Sequence, residues 1–197
     1  MNELMLEQST FKELLELFLS GEVEKIWRSQ TKMSTQIGNF LWDKIESPKD
    51  IKPLFYSPLE SCQYWGTYIV KEGSVEYKVL MDLVICFAAS PFSSVRNNVC
   101  SALWSFWDVK YSETLILYLN ESNEKIKIIA TLLLGKLSDK DYANVVSEIK
   151  QDKYSYKSIQ YIIDYHDALR NGDVNLAKKI ASNANDIVLD EVEKLKS

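Results

Sequence analysis

A serine-proline phrase that recurs along the chain constrains its fold more than any other feature: Ser57-Pro58-Leu59-Glu60-Ser61 comes back as Ser90-Pro91-Phe92-Ser93-Ser94. In each copy the serine suits a helix N-cap, and the proline suits the first helical position, where its missing N–H is no loss. A second recurrence, at nearly the same interval, matches Val95-Arg96, Val99, Leu103, Phe106 and Asp108 to Ile126-Lys127, Ala130, Leu134, Leu137 and Asp139. Each of these predicted helices is followed by another apolar one, over 75–89, 110–119 and 141–149. A unit of two helices cannot bury its own apolar face, so neighbouring units must stack. Leu115-Ile116-Leu117-Tyr118-Leu119 and Thr131-Leu132-Leu133-Leu134 are apolar nearly all round, as helices covered from both sides should be.

The flanks also read as helix. Thr10 and Glu13 have capping-box spacing, and Phe11, Leu14, Leu15, Phe18 and Leu19 follow at helical period until Ser20-Gly21. Val23, Ile26, Trp27, Met33, Ile37, Phe40, Leu41 and Ile45 predict one long or broken helix that stops before Ser47-Pro48. Beyond residue 154 the pattern predicts a helix to about 169, a turn at Asn171-Gly172-Asp173, and one or two further helices, the last over 186–196. Only six glycines and four prolines are present, too few for the tight hairpins of an all-β fold.

At 123–139 the chain resembles the HEAT-like repeat family, whose repeats carry a polar turn, a small aliphatic residue followed by Arg or Lys, an alanine- and leucine-rich helix and a closing Asp. Asn123-Glu124-Lys125-Ile126-Lys127 through Leu133-Leu134-Gly135-Lys136-Leu137-Ser138-Asp139 is the best copy. Residues 91–108 keep Val95-Arg96 but place Trp104 where the other copy has Gly135, and 58–73 keep mainly the Ser-Pro start. The resemblance covers residues 57–152 and implies a right-handed α-solenoid. The expected architecture is therefore all-α and one domain: N-terminal helices over 1–56, about three HEAT-like helix pairs over 57–152, and C-terminal capping helices over 153–197.

Little in the chain points to catalysis. Net charge is −5, and the Lys/Arg clusters needed for counterion release from nucleic acid or an anionic membrane are missing. Cys62, Cys86 and Cys100 lack metal-type spacing and are expected to pack as small hydrophobes in a reduced, cytoplasmic setting. The start of the chain lacks a signal-peptide pattern, and no stretch has the roughly 20 apolar residues of a membrane span. The single histidine, His166, shares a helix face with Ile159, Ile162 and Ile163, which predicts a core or boundary histidine with a hydrogen-bond partner. Asp164 and Asp167 are three apart and are expected on a solvated surface. No phosphate loop, nucleophile elbow or zinc signature occurs, so no catalytic residue, cofactor or metal ligand is assigned.

Aromatic residues are the remaining signal, with five Trp and eleven Tyr, both types enriched in binding hot spots. Trp104, Trp107, Asp108 and Tyr111 gather at one predicted inter-helix turn. Tyr154, Tyr161 and Tyr165 fall on one helix stripe, and Tyr64, Trp65 and Tyr68 form a third group. The first seven of these are the expected partner-binding residues. The expected function is a non-enzymatic protein-binding module. Small acidic helical proteins of this kind are often bacterial immunity or antitoxin proteins, so by analogy of fold and size a basic toxin is the candidate partner. The alternatives are a HEAT-like DNA glycosylase, with Asp108 as its carboxylate, and a scaffold subunit of a larger complex. Neither nucleic acid nor membrane is the expected partner.

Overall fold

The capping box at Thr10 forms as the spacing requires. In the computed structural model, which describes residues 3–153 and 155–183, Glu13 N–H donates to Thr10 Oγ1 at 3.3 Å and Thr10 N–H donates to Glu13 Oε2 at 2.7 Å. These bonds satisfy N–H groups that the first helical turn leaves unpaired. Every described element is helical, and no strand occurs among the described residues. The chain divides into two compact units between Phe106 and Trp107, a boundary that falls near the end of the copy beginning at Val95, ahead of its closing Asp108.

The first unit contains α1 (Glu3–Gln8), α2 (Phe11–Leu19), α3 (Glu22–Ile26), α4 (Thr31–Asp43), α5 (Lys52–Phe55), α6 (Glu60–Glu72), α7 (Met81–Ile85) and α8 (Ser93–Ser105). The series from Val23 to Ile45 is thus a broken helix, α3 and α4. Gly21, at φ 81°, makes the left-handed turn between α2 and α3 that an L side chain rarely adopts. Helix α6 is the hub: α2, α3 and α5 pack on it from the N-terminal side and α7 and α8 from the other. Leu14, Phe18, Val23, Leu54, Cys62, Ile69, Val95 and Val99 are fully buried in this unit.

Two predicted details differ. Ser57 and Ser90 do not cap α6 and α8; each hydroxyl accepts the N–H two residues on, Leu59 and Phe92, at 3.3 Å, and the helices begin after these turns. The two copies nevertheless act alike, and the helices that follow, α6 and α8, are both 13 residues long. Segment 75–89 is not one α-helix but a 3₁₀ stretch, Val75–Leu80, followed by α7. Three residues per turn align Tyr77 with Leu80, both buried, and leave Val75 and Val79 outside at 78% and 74% exposure.

The second unit begins with a 3₁₀ turn, Val109–Tyr111, and continues through α9 (Ser112–Leu119), α10 (Glu124–Lys136), α11 (Asp139–Glu148), a π-helical turn at Ile149–Lys153, α12 (Tyr156–Arg170) and α13 (Val174–Asn183). Asn123 caps α10, its Oδ1 accepting from Lys125 and Ile126 N–H at 3.1 and 3.4 Å. Helix α10, also 13 residues long, packs against α9 and α12, and α12 packs against α13. Gly172 takes φ 76° in the predicted turn at Asn171-Gly172-Asp173. The helix predicted over 186–196 lies outside the described residues.

Candidate functional site

Helix α6 carries Tyr64 and Tyr68 four residues apart, on one face. Their rings are nearly parallel (10°) with centroids 5.7 Å apart. Trp27, which closes α3, leans on Tyr64 at 4.9 Å, and Trp42 of α4 meets Tyr68 edge-on at 5.6 Å. All four residues are half-buried, and their successive ring contacts make a row Trp27–Tyr64–Tyr68–Trp42.

Beneath the row Trp65 is 2% exposed. It meets Phe18, Tyr64 and Tyr68 edge-on at 6.3, 5.8 and 5.2 Å. Such pairs add about 0.5–1.5 kcal/mol each beyond area burial. Its indole is seated directly on Gly38 of α4, where a Cβ would fall inside the ring. Gly38 therefore sets how closely α4 approaches α6, and Trp65 supplies a rigid floor for the row.

Helix α8 runs alongside. Asn98, buried, donates from Nδ2 to Tyr64 O at 3.2 Å and to Thr67 Oγ1 at 3.3 Å, and Ser94 Oγ donates to Glu60 Oε1 at 3.3 Å. Ser94, Asn97 and Ser101, at helical spacing on α8, are half-buried, and Ser101 Oγ donates to Asn97 O at 2.9 Å. Charge lies at the rim. Arg28 Nη2 donates to Glu60 Oε2 at 2.7 Å, and Lys71 Nζ lies 2.8 Å from Glu72 Oε1 and 4.9 Å from the Tyr68 centroid. Glu24 Oε2 accepts the Ser61 N–H at 2.8 Å and so caps α6 from α3. Burial foremost, then the neighbouring Tyr68 and Glu72, pushes the Tyr64 phenol above its ordinary pKa, which keeps it a neutral donor. Trp, Tyr, Ser and Asn on rigid helices are the residue types of antibody paratopes, with large rings that lose little entropy and small polar groups that adapt.

The residues expected to bind a partner are distributed differently. Trp104 lies half-buried on α8 in the first unit, whereas Trp107, Asp108 and Tyr111 belong to the second. Trp107 donates its indole N–H to Asp141 Oδ2 at 3.4 Å, and Asp108 Oδ1 accepts from Lys110 N–H at 3.1 Å, capping the 3₁₀ turn. Tyr111 is buried at 7% exposure, with Lys110 over its ring. On α12, Tyr165 is 0% exposed. It packs with Ala168 and Ala177 against Leu132, Tyr161, Leu169, Ile180 and Ala181, so α13 covers the stripe that the spacing offered to a partner. Tyr161 stays half-buried beneath Lys127, and Tyr154 lies outside the described residues. Tyr111 and Tyr165 thus present no ring to a partner.

A polar cluster surrounds α12 instead. Tyr142 O–H donates to Asp167 Oδ1 at 2.8 Å and to Ile163 O at 3.2 Å, and the Arg170 guanidinium lies 4.2 Å from the Tyr142 centroid. Arg170 also donates to Leu137 O at 2.8 Å and pairs with Asp139, closing the C-terminus of α10. Burial first, then the bond to Asp167, holds the Tyr142 phenol well above the usual tyrosine range. His166 is buried edge-on to Tyr142 and Tyr165 and rests against Gly135. Asp164 is exposed and accepts from Gln160, so it and Asp167 engage different groups. The contacts of Tyr142 and Arg170 tie helix to helix.

Cys62 and Cys100 are buried and their thiols pushed up by that burial, whereas Cys86, expected to pack as a hydrophobe, is exposed. Among the described residues no His/Cys/Asp/Glu group has a metal-binding arrangement, and no helix is long and apolar enough to cross a membrane. Comparison with known protein families, with curated proteins and with solved structures gave no match. Sequence reasoning noted Tyr64, Trp65 and Tyr68 but missed Trp27 and Trp42. The signal was present only in part, since Trp27 lies in the apolar series and Trp42 falls one residue after its member Leu41.

Proposed function

We propose that the chain is a helical protein-binding module that engages its partner through the Trp27–Tyr64–Tyr68–Trp42 row and the adjoining Ser94, Asn97 and Ser101. The observation that carries this reading is the row itself: four aromatic rings half-open to solvent over a rigid Trp65 floor, the ring chemistry that dominates binding hot spots. The HEAT-like solenoid remains the architecture proposed for the repeated helices. It is supported by α6, α8 and α10, three helices of equal length that begin at near-equal intervals, at Glu60, Ser93 and Glu124. A solenoid is built to present an extended surface of this type. The acidic balance, net −5, favours a basic partner, and neutralisation of a basic toxin is the form of activity proposed.

The test is affinity capture from native lysate with mass spectrometry, comparing the wild type with Trp27→Ala and Tyr64→Ala. A stoichiometric partner held by the wild type and lost by both variants, with unchanged far-UV circular dichroism, is the expected result. Equal retention by the variants would reject this face, and capture of nothing by the wild type would reject the reading.

A further inference from the structure

Two cations of this chain already sit on the aromatic row and its rim. Lys71 places its ammonium 4.9 Å from the Tyr68 centroid while touching Glu72 at 2.8 Å. Arg28 places its guanidinium on Glu60 at 2.7 Å, with its own side chain 79% exposed. Tyr68 therefore presents a face to positive charge, and Glu72 stands beside it as an acceptor for a cation's N–H groups. We infer that the row receives an arginine side chain of the partner on the face of Tyr68, and that Lys71 is the resident cation it displaces. This rests on the protein-binding reading and names the chemistry that the face recognises.

Displacement is easy. The Lys71–Glu72 pair is partly exposed, at 23% and 40%, and pairs of that kind contribute little. An incoming guanidinium exceeds the ammonium it replaces, because its plane stacks on the phenol while its fork of N–H groups spans the carboxylate freed on Glu72. Arg28 on Glu60 shows one such pairing at the same rim. The chain's net −5 charge draws the arginine in.

The experiment titrates the full chain with an acetylated hexa-arginine peptide, following tryptophan emission, with a glycine-serine peptide of equal length as the neutral control. Saturable, salt-weakened binding of hexa-arginine alone is expected. Lys71→Met should tighten it about two- to fivefold by freeing the Tyr68 face. Lys12→Met, the same change of net charge at an exposed position on α2, reports the long-range charge effect alone and should tighten binding less than Lys71→Met does. Tyr68→Leu should weaken it. If Lys71→Met binds no tighter than Lys12→Met, if Tyr68→Leu binds like the wild type, or if the neutral peptide binds equally well, the arginine inference is overturned. A lysate partner that still depends on Trp27 and Tyr64 would then leave the protein-binding reading standing without it.

Discussion

The two units contain the same local arrangement with opposite outcomes. In the first, α6 carries Tyr64 and Tyr68 at i, i+4 and seats the neighbouring Trp65 on Gly38 of α4. In the second, α12 carries Tyr161 and Tyr165 at i, i+4 and seats the neighbouring His166 against Gly135 of α10. Tyr64 and Tyr68 remain half-open, whereas Tyr165 is closed off by Ala177, Ile180 and Ala181 of α13. Spacing places the rings on a stripe; the next helix decides whether that stripe is surface or core.

This contrast is open to direct attack, beginning with the rings. Tyr165→Ala should remove about 3–5 kcal/mol of stability by opening a cavity beneath α13. Tyr64→Ala loses three ring contacts but opens no sealed cavity, so it should remove less, about 2 kcal/mol, and should also weaken binding. Urea unfolding of the two variants measures both, and equal losses would erase the distinction between the stripes.

The glycine seats come next. Gly38→Ala puts a methyl into the indole of Trp65, which is pinned on three sides. Overpacking of about 1–3 kcal/mol should outweigh the roughly 1 kcal/mol that alanine gains in a helix. Gly135→Ala meets only the edge of His166, 2.9 Å from Cε1, so a small imidazole shift should leave it within about 1 kcal/mol of the wild type. A Gly38 variant as stable as the Gly135 variant would mean that the Trp65 floor is not rigid.

The smallest expected effect is at Tyr142. Tyr142→Phe deletes the bonds to Asp167 and Ile163 and should lower stability by about 1 kcal/mol. It should also flatten the alkaline limb. The folded phenol titrates above its unfolded value, so its contribution is intact below about pH 10 and is lost as pH rises through the folded pKa. Tyr64 and Tyr77 shift the same way through burial, so the slope should shrink without vanishing. An unchanged slope in thermal melts between neutral pH and about pH 11 would remove Tyr142 from the explanation.

The sequence revealed local rules better than coverage. The Thr10–Glu13 capping box was legible because all its partners lie within one helical turn, and His166 packs in the core as its aliphatic neighbours implied. The Ser-Pro phrases were legible as a repeat but misread as caps, because a serine that closes a turn two residues ahead has the same spelling as one that starts a helix. Coverage depends on distant contacts, so the stripe on α12 read as surface. For the same reason Trp27 reads as part of the core series and Trp42 falls outside it. Their partners on α6, Tyr64 and Tyr68, are remote from them in the chain and meet them only once the helices pack.

The cap that Glu24 places on Ser61 spans 37 residues, and it gives assembly a direction. Helix α6 has no side-chain cap of its own at Leu59, so its first amides are completed by a group that leaves the ribosome well before them. When α6 emerges, the carboxylate on α3 is already waiting, and the hub of the first unit closes onto structure synthesised earlier. A circular permutant that begins at Ser57 would reverse that order, so that α6 is made before the carboxylate that caps it.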